Sequence, residues 1–172
     1  MKDRIALRGL IAAVAMAMAI APTAALAIPA QGETVNVPHN FQPGYDTYDE
    51  FHQGVADLKA GRFPEAEAHF SHVLVMVPTD ADSMFLLGMA RAGRGDLAGA
   101  RRAFQDTLKL DAHRVFAHRE LALTYIKLGQ ADKARSELAV LRGQSAECAG
   151  TCSDADKYAD AIKSVEAALP PG

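Results

Sequence analysis

A chain of 172 residues with a net charge of −3 has room for one domain. This mild acidity gives no electrostatic footprint for nucleic acid, which needs clustered Lys and Arg, and argues against an anionic membrane surface. Alanine-rich composition with seven Phe, four Tyr and no Trp suits close-packed helices rather than a sheet. With no Gly-rich phosphate loop, no nucleophile turn and no H-E-x-x-H, the sequence predicts a protein that is not an enzyme and needs no cofactor.

The first segment reads as a targeting signal. Lys2, Arg4 and Arg8 precede an uninterrupted apolar run from Leu10 to Ile20, then Pro22, then Ala25 and Ala27 placed as an A-x-A site. This is the layout of a secretory signal peptide over 1–27, cleaved after Ala27. A membrane anchor would need about 20 apolar residues, and this run has eleven. The expected location is periplasmic or secreted, and no membrane span is expected in the mature chain. Without Lys2, Asp3, Arg4 and Arg8, the remainder carries two more net negative charges than the whole. Residues 28–45 contain three prolines, two glycines and no helical period, so they read as an extended or disordered lead-in.

From Asp46 the pattern repeats every 34 residues. Gly54, Gly88 and Ala122 share one column; Gly61, Gly95 and Gly129 the next; Ala66, Ala100 and Ala134 a third; Phe70, Phe104 and Leu138 a fourth. Small residues in the first and third columns allow two helices to approach closely. The glycine between them supplies positive φ after a helix. The large apolar residue of the fourth fills the space between the paired helices, and Pro78 stops the second helix of its pair. Helices are predicted at 46–60, 64–77, 81–93, 97–110, 114–128, 131–142 and about 154–169. Pro64 suits a first turn, Asp96 an N-cap, and Ser153 with Asp156 a capping box. Tyr158, Ile162, Val165 and Leu169 make one apolar stripe on the last helix.

These columns resemble the tetratricopeptide repeat, in three consecutive units at 47–80, 81–114 and 115–148. The chain departs from the family pattern at the fourth position of each unit, where Glu50, Met84 and His118 replace a large aromatic. Ala112 stands where the second unit would have its final proline. The resemblance implies an all-α fold of three helix pairs in a right-handed superhelix. Residues 149–172 would add a disulfide loop and a capping helix over the exposed apolar end of the array.

The resemblance also implies that the first helix of each pair lines a concave groove. Its positions here are Tyr48, Phe51 and Val55, then Phe85 and Met89, then Phe116, Arg119, Leu123 and Lys127. That surface would be mostly apolar with cations toward one end, and would take a protein or peptide partner. Some members grip a carboxylate with Lys and Asn in columns that read Phe51/Val55 and Phe85/Met89 here, so that clamp is absent. The alternative is that these residues pack on one another or on Val35, Val37 and Phe41 of the lead-in.

Cys148 and Cys152 are spaced C-x₃-C. In an oxidising compartment a structural disulfide closing the Gly143–Ser153 loop is the expected state. The competing reading is an envelope redox or metal-handling protein, with the thiols as a soft-metal or redox site. His69 and His72 lie three apart on one helix with no carboxylate placed beside them by sequence, so a solvated face or packing is expected there and no metal site.

Overall fold

The computed structural model describes residues 46–148 and 152–170. The expected signal segment, its cleavage point and the lead-in lie outside the described residues. Within them the chain is an all-α repeat superhelix: α1 (Thr47–Lys59), α2 (Phe63–Met76), α3 (Ala81–Gly93), α4 (Leu97–Leu110), α5 (Val115–Lys127), α6 (Ala131–Cys148) and α7 (Ala155–Ala168). Each helix packs on the next, and α1, α3 and α5 also touch in series.

The turn inside each pair is built the same way three times. Gly61, Gly95 and Gly129 have φ of 73°, 89° and 71°. Around Gly61, the Arg62 amide donates to the Asp57 carbonyl at 2.9 Å and the Gly61 amide to that of Leu58 at 3.2 Å. The same two bonds recur around Gly95 and Gly129. This double closure satisfies carbonyls that the helix end leaves open, and only glycine takes the left-handed step without steric cost. Helix starts are capped by Asp46, Asp80 and Asp96, each accepting from a first-turn amide. The bond from the Gly99 amide holds the Asp96 carboxyl below its usual range; burial opposes this, and Arg94, Arg91 and Arg102 add to the lowering.

The pairing columns meet as their volumes require. A Cβ on Gly88 would lie 2.5 Å from the Phe104 ring, and one on Gly54 would lie 2.9 Å from that of Phe70. Each large ring therefore occupies the space a side chain would need. In the third pair Leu138 replaces the aromatic ring and Ala122 replaces the glycine, so a methyl fits beside the smaller aliphatic side chain. Ala66, Ala100 and Ala134 are all fully buried.

Apart from one-residue shifts at the ends of α1, α2, α5 and α7, one helix end and one helix cap differ from those expected. The sixth helix runs six residues past 142, through Gly143 to Cys148. Leu141 is fully buried and Gln144 donates to the Ala112 carbonyl, so tertiary contacts outweigh the ~1 kcal/mol that a mid-helix glycine costs. The last helix starts after Asp154, not with a Ser153 capping box, and no side chain caps it. Asp154 instead binds Lys157 at 2.6 Å. Buried Tyr158, Ala161 and Val165 of α7 join the core of the second and third pairs. In this way α7 packs on both α5 and α6.

Candidate peptide-binding groove

The groove residues all sit on α1, α3 and α5, but they divide into two kinds. Phe51 and Val55 pack against the buried cluster of Ala66, Phe70, Leu87 and Ala90. Phe85 and Met89 pack against the second cluster, around Phe104 and Ala122. The Phe51 ring meets Phe70 edge-on at 6.0 Å, and Phe85 tilts on Phe104 at 5.7 Å. These four half-buried side chains thus serve the core with one side. Tyr48, 66% exposed, and Phe116, 37% exposed, present their rings to solvent. The Tyr48 ring tilts against His52, with centroids 4.1 Å apart. Leu123 is half-buried and Lys127 exposed.

Two arginines of this face are engaged, whereas Lys127 extends into solvent. Arg119 lies 4.9 Å over the Phe116 ring and binds Glu120 at 2.7 Å. Arg114, which sequence reasoning left out, lies 5.0 Å over the Phe85 ring and pairs with Asp82. A cation held over a ring and neutralised by a carboxylate leaves the face apolar with little net charge. Arg114 precedes α5 in the turn between two pairs, where repeat columns carry no groove signal.

The departures at the fourth position acquire a purpose. Glu50 on α1 binds Nδ1 of His69 on α2 at 2.7 Å. His118 on α5 binds Glu137 on α6 through Nδ1, also at 2.7 Å and also 19 residues apart. The two pairs occupy the same two columns with acid and base exchanged, and the middle unit has Met84 and Ala103 there. The expectation that no carboxylate accompanies His69 and His72 is therefore corrected. Asp57 lies 3.2 Å from Nε2 of His69, and Glu50 lies 3.8 Å from His72. The missing signal was tertiary, since these carboxylates come from the neighbouring helix. Among the described residues no group of three or more His, Cys, Asp or Glu is arranged to hold a metal ion.

Cys148 and Cys152 stand at disulfide distance, with Cα atoms 5.4 Å apart. They bridge the end of α6 to the residues just before α7. Half-buried Cys148 rests on the second cluster, and Cys152 is exposed. Among the described residues no helix is long and apolar enough to cross a membrane.

Two family models, both described as tetratricopeptide repeat, match residues 51–114 and 91–150. No curated protein matches. Among solved structures, MamA from residue 41 onward, from Desulfovibrio magneticus RS-1, is 21% identical with a TM-score of 0.59, covering 62% of this chain and 59% of that one. The TPR2B domain of yeast Sti1, in a pHsp70 complex, is 17% identical with a TM-score of 0.60, over 70% of this chain and 96% of that one. The TPR2AB domain of yeast Sti1, in a pHSP90 complex, is 18% identical at 0.60, over 70% of this chain and 46% of that one. At these identities the likeness is one of fold.

Proposed function

The chain belongs to the tetratricopeptide-repeat family, and from that premise we propose that it is an exported, non-catalytic scaffold that binds a protein or peptide along its concave face. The observation that carries this reading is the row of apolar side chains on α1, α3 and α5, whose neighbouring Arg114 and Arg119 are already paired with carboxylates. Tyr48, Phe51, Val55, Phe85, Met89, Phe116 and Leu123 offer apolar contact, and Met89 adds adaptability. The yeast Sti1 domains, solved in pHsp70 and pHSP90 complexes, support the same mode of use. Export rests on Lys2, Arg4 and Arg8, the apolar run after them, and Ala25 and Ala27. Mass analysis of the secreted product tests it, with Ile28 as the expected first residue.

The binding face is tested where side chains are exposed enough to change without disturbing the core. Tyr48→Ala with Phe116→Ala is expected to weaken partner recovery roughly tenfold or more, as for anchors of a recognition surface. Val75→Ala, on α2, is expected to leave recovery as in the wild type. Recovery undiminished in the double variant would remove the groove from the reading.

A further inference from the structure

His118 has an acceptor at each ring nitrogen. Nδ1 lies 2.7 Å from Oε2 of Glu137 on α6, and Nε2 lies 3.0 Å from the carbonyl oxygen of Ala112, in the turn between α4 and α5. A carboxylate and a carbonyl oxygen only accept. A neutral imidazole has one N–H and would turn a lone pair toward one of them. Only the doubly protonated ring donates to both. The side chain is 9% exposed, so water has little access to replace a lost bond.

The contacts extend beyond the ring. The Ala112 carbonyl also accepts from Nε2 of Gln144 on α6 at 2.9 Å. The Tyr158 hydroxyl on α7 donates to Oε1 of that Gln144 across 3.4 Å. A single network thus joins the turn before α5, α5 itself, α6 and α7. The charged groups around His118 are Glu137 on α6 and Asp111 in the turn. Those around Tyr158 are Asp154, Glu147 and Asp111.

We propose that His118 is a proton-dependent lock on the third helix pair and α7. With the ring charged, α5, α6 and the preceding turn are tied together, and α7 is held through Gln144. When the ring loses its proton, one of its two bonds breaks and the C-terminal end of the array loosens. The middle pair has no such response at this position, because Met84 and Ala103 occupy the equivalent columns. The first pair differs too: His69 is more exposed, and Arg62 shares its Asp57 partner with a bond of 2.8 Å.

The direction of the response follows from the surroundings. Burial disfavours the charged ring, but the Glu137 hydrogen bond, the Ala112 carbonyl and the charges of Glu137 and Asp111 outweigh it. Proton affinity is raised above the ordinary value of 6.5. A raised folded value means the stabilisation is complete below pH 6.5 and is lost as pH rises through the folded value.

Two measurements on the purified chain test the lock. Nitrogen-detected NMR of the histidine rings at pH 6 is expected to show both His118 nitrogens protonated. Hydrogen exchange, corrected for intrinsic rate, is expected to show protection of α5 to α7 falling above pH 6.5 by up to about tenfold per pH unit. Protection of α3 and α4 stays level. His118→Gln, which keeps one donor, should abolish that slope. A single neutral tautomer at pH 6, a level profile for α5 to α7, or an unchanged slope in His118→Gln overturns the proposal. If the variant does not fold, the two wild-type measurements still decide.

Discussion

The first and third helix pairs make the same contacts with different residues. In α1–α2 a glycine lies under a phenylalanine, the acid is on the first helix and the histidine on the second, and Pro78 follows the end. In α5–α6 an alanine lies beside a leucine, acid and histidine are exchanged, and the second helix runs on into a bridge and a further helix. The repeat thus specifies a sum of volumes and a complementary pair of charges, not fixed side chains. What differs in outcome comes from the neighbours. The third pair buries its histidine further and is covered by α7.

Four changes would break or sharpen this comparison. The largest effect is expected from Phe70→Ala, since a fully buried ring over Gly54 leaves a cavity that glycine cannot help to fill. A loss of about 3–5 kcal/mol by denaturant unfolding is expected. A loss no greater than for an exposed site would show that the ring does not fill the first pair.

Leu138→Phe asks whether the third pair can take the first pair's solution. Alone it overpacks against Ala122 and should cost up to about 3 kcal/mol. Combined with Ala122→Gly it should recover most of that loss, and a double-mutant cycle with no coupling contradicts the volume argument.

Replacing both cysteines by serine should cost about 2 kcal/mol, because the bridge spans a sequence separation of only four and so restrains little unfolded chain. Increased hydrogen exchange is expected at the end of α6 and in α7, with α1 and α2 unaffected. A uniform change across the array would mean that the bridge does not act locally.

The smallest effect should be the same at both ends. Gly61→Ala and Gly129→Ala meet no neighbouring atom within 4 Å, so backbone strain at φ of 73° and 71° is the whole cost, about 1 kcal/mol each. Melting curves that separate the two variants widely would show that their turns are not equivalent.

Much of the fold was legible in the chain because its determinants are local. Glycine at positive φ, aspartate before a helix, Pro64 in a first turn and a fixed spacing of small and large residues act within one unit, wherever that unit sits. The placement of the candidate groove residues was legible in part. The groove residues fall on the helices assigned to them, but Phe51, Val55, Phe85 and Met89 also serve the core, which a one-residue column does not reveal. Arg114 escaped notice because its role depends on Asp82 and Phe85, both 29 or more residues earlier.

By itself the sequence determined the helix pairs, their turns and their stacking order, since a 34-residue period is a property of the chain alone. Only the tertiary structure decided which polar residues meet. Glu50 with His69 and His118 with Glu137 lie on separate helices, so their hydrogen bonds exist only once those helices have packed. It also decided that α6 continues through Gly143, because Leu141 and Gln144 find partners only after α7 and the preceding turn are in place. Local conformation can be set by neighbouring residues; a buried hydrogen bond needs a partner delivered from elsewhere in the chain.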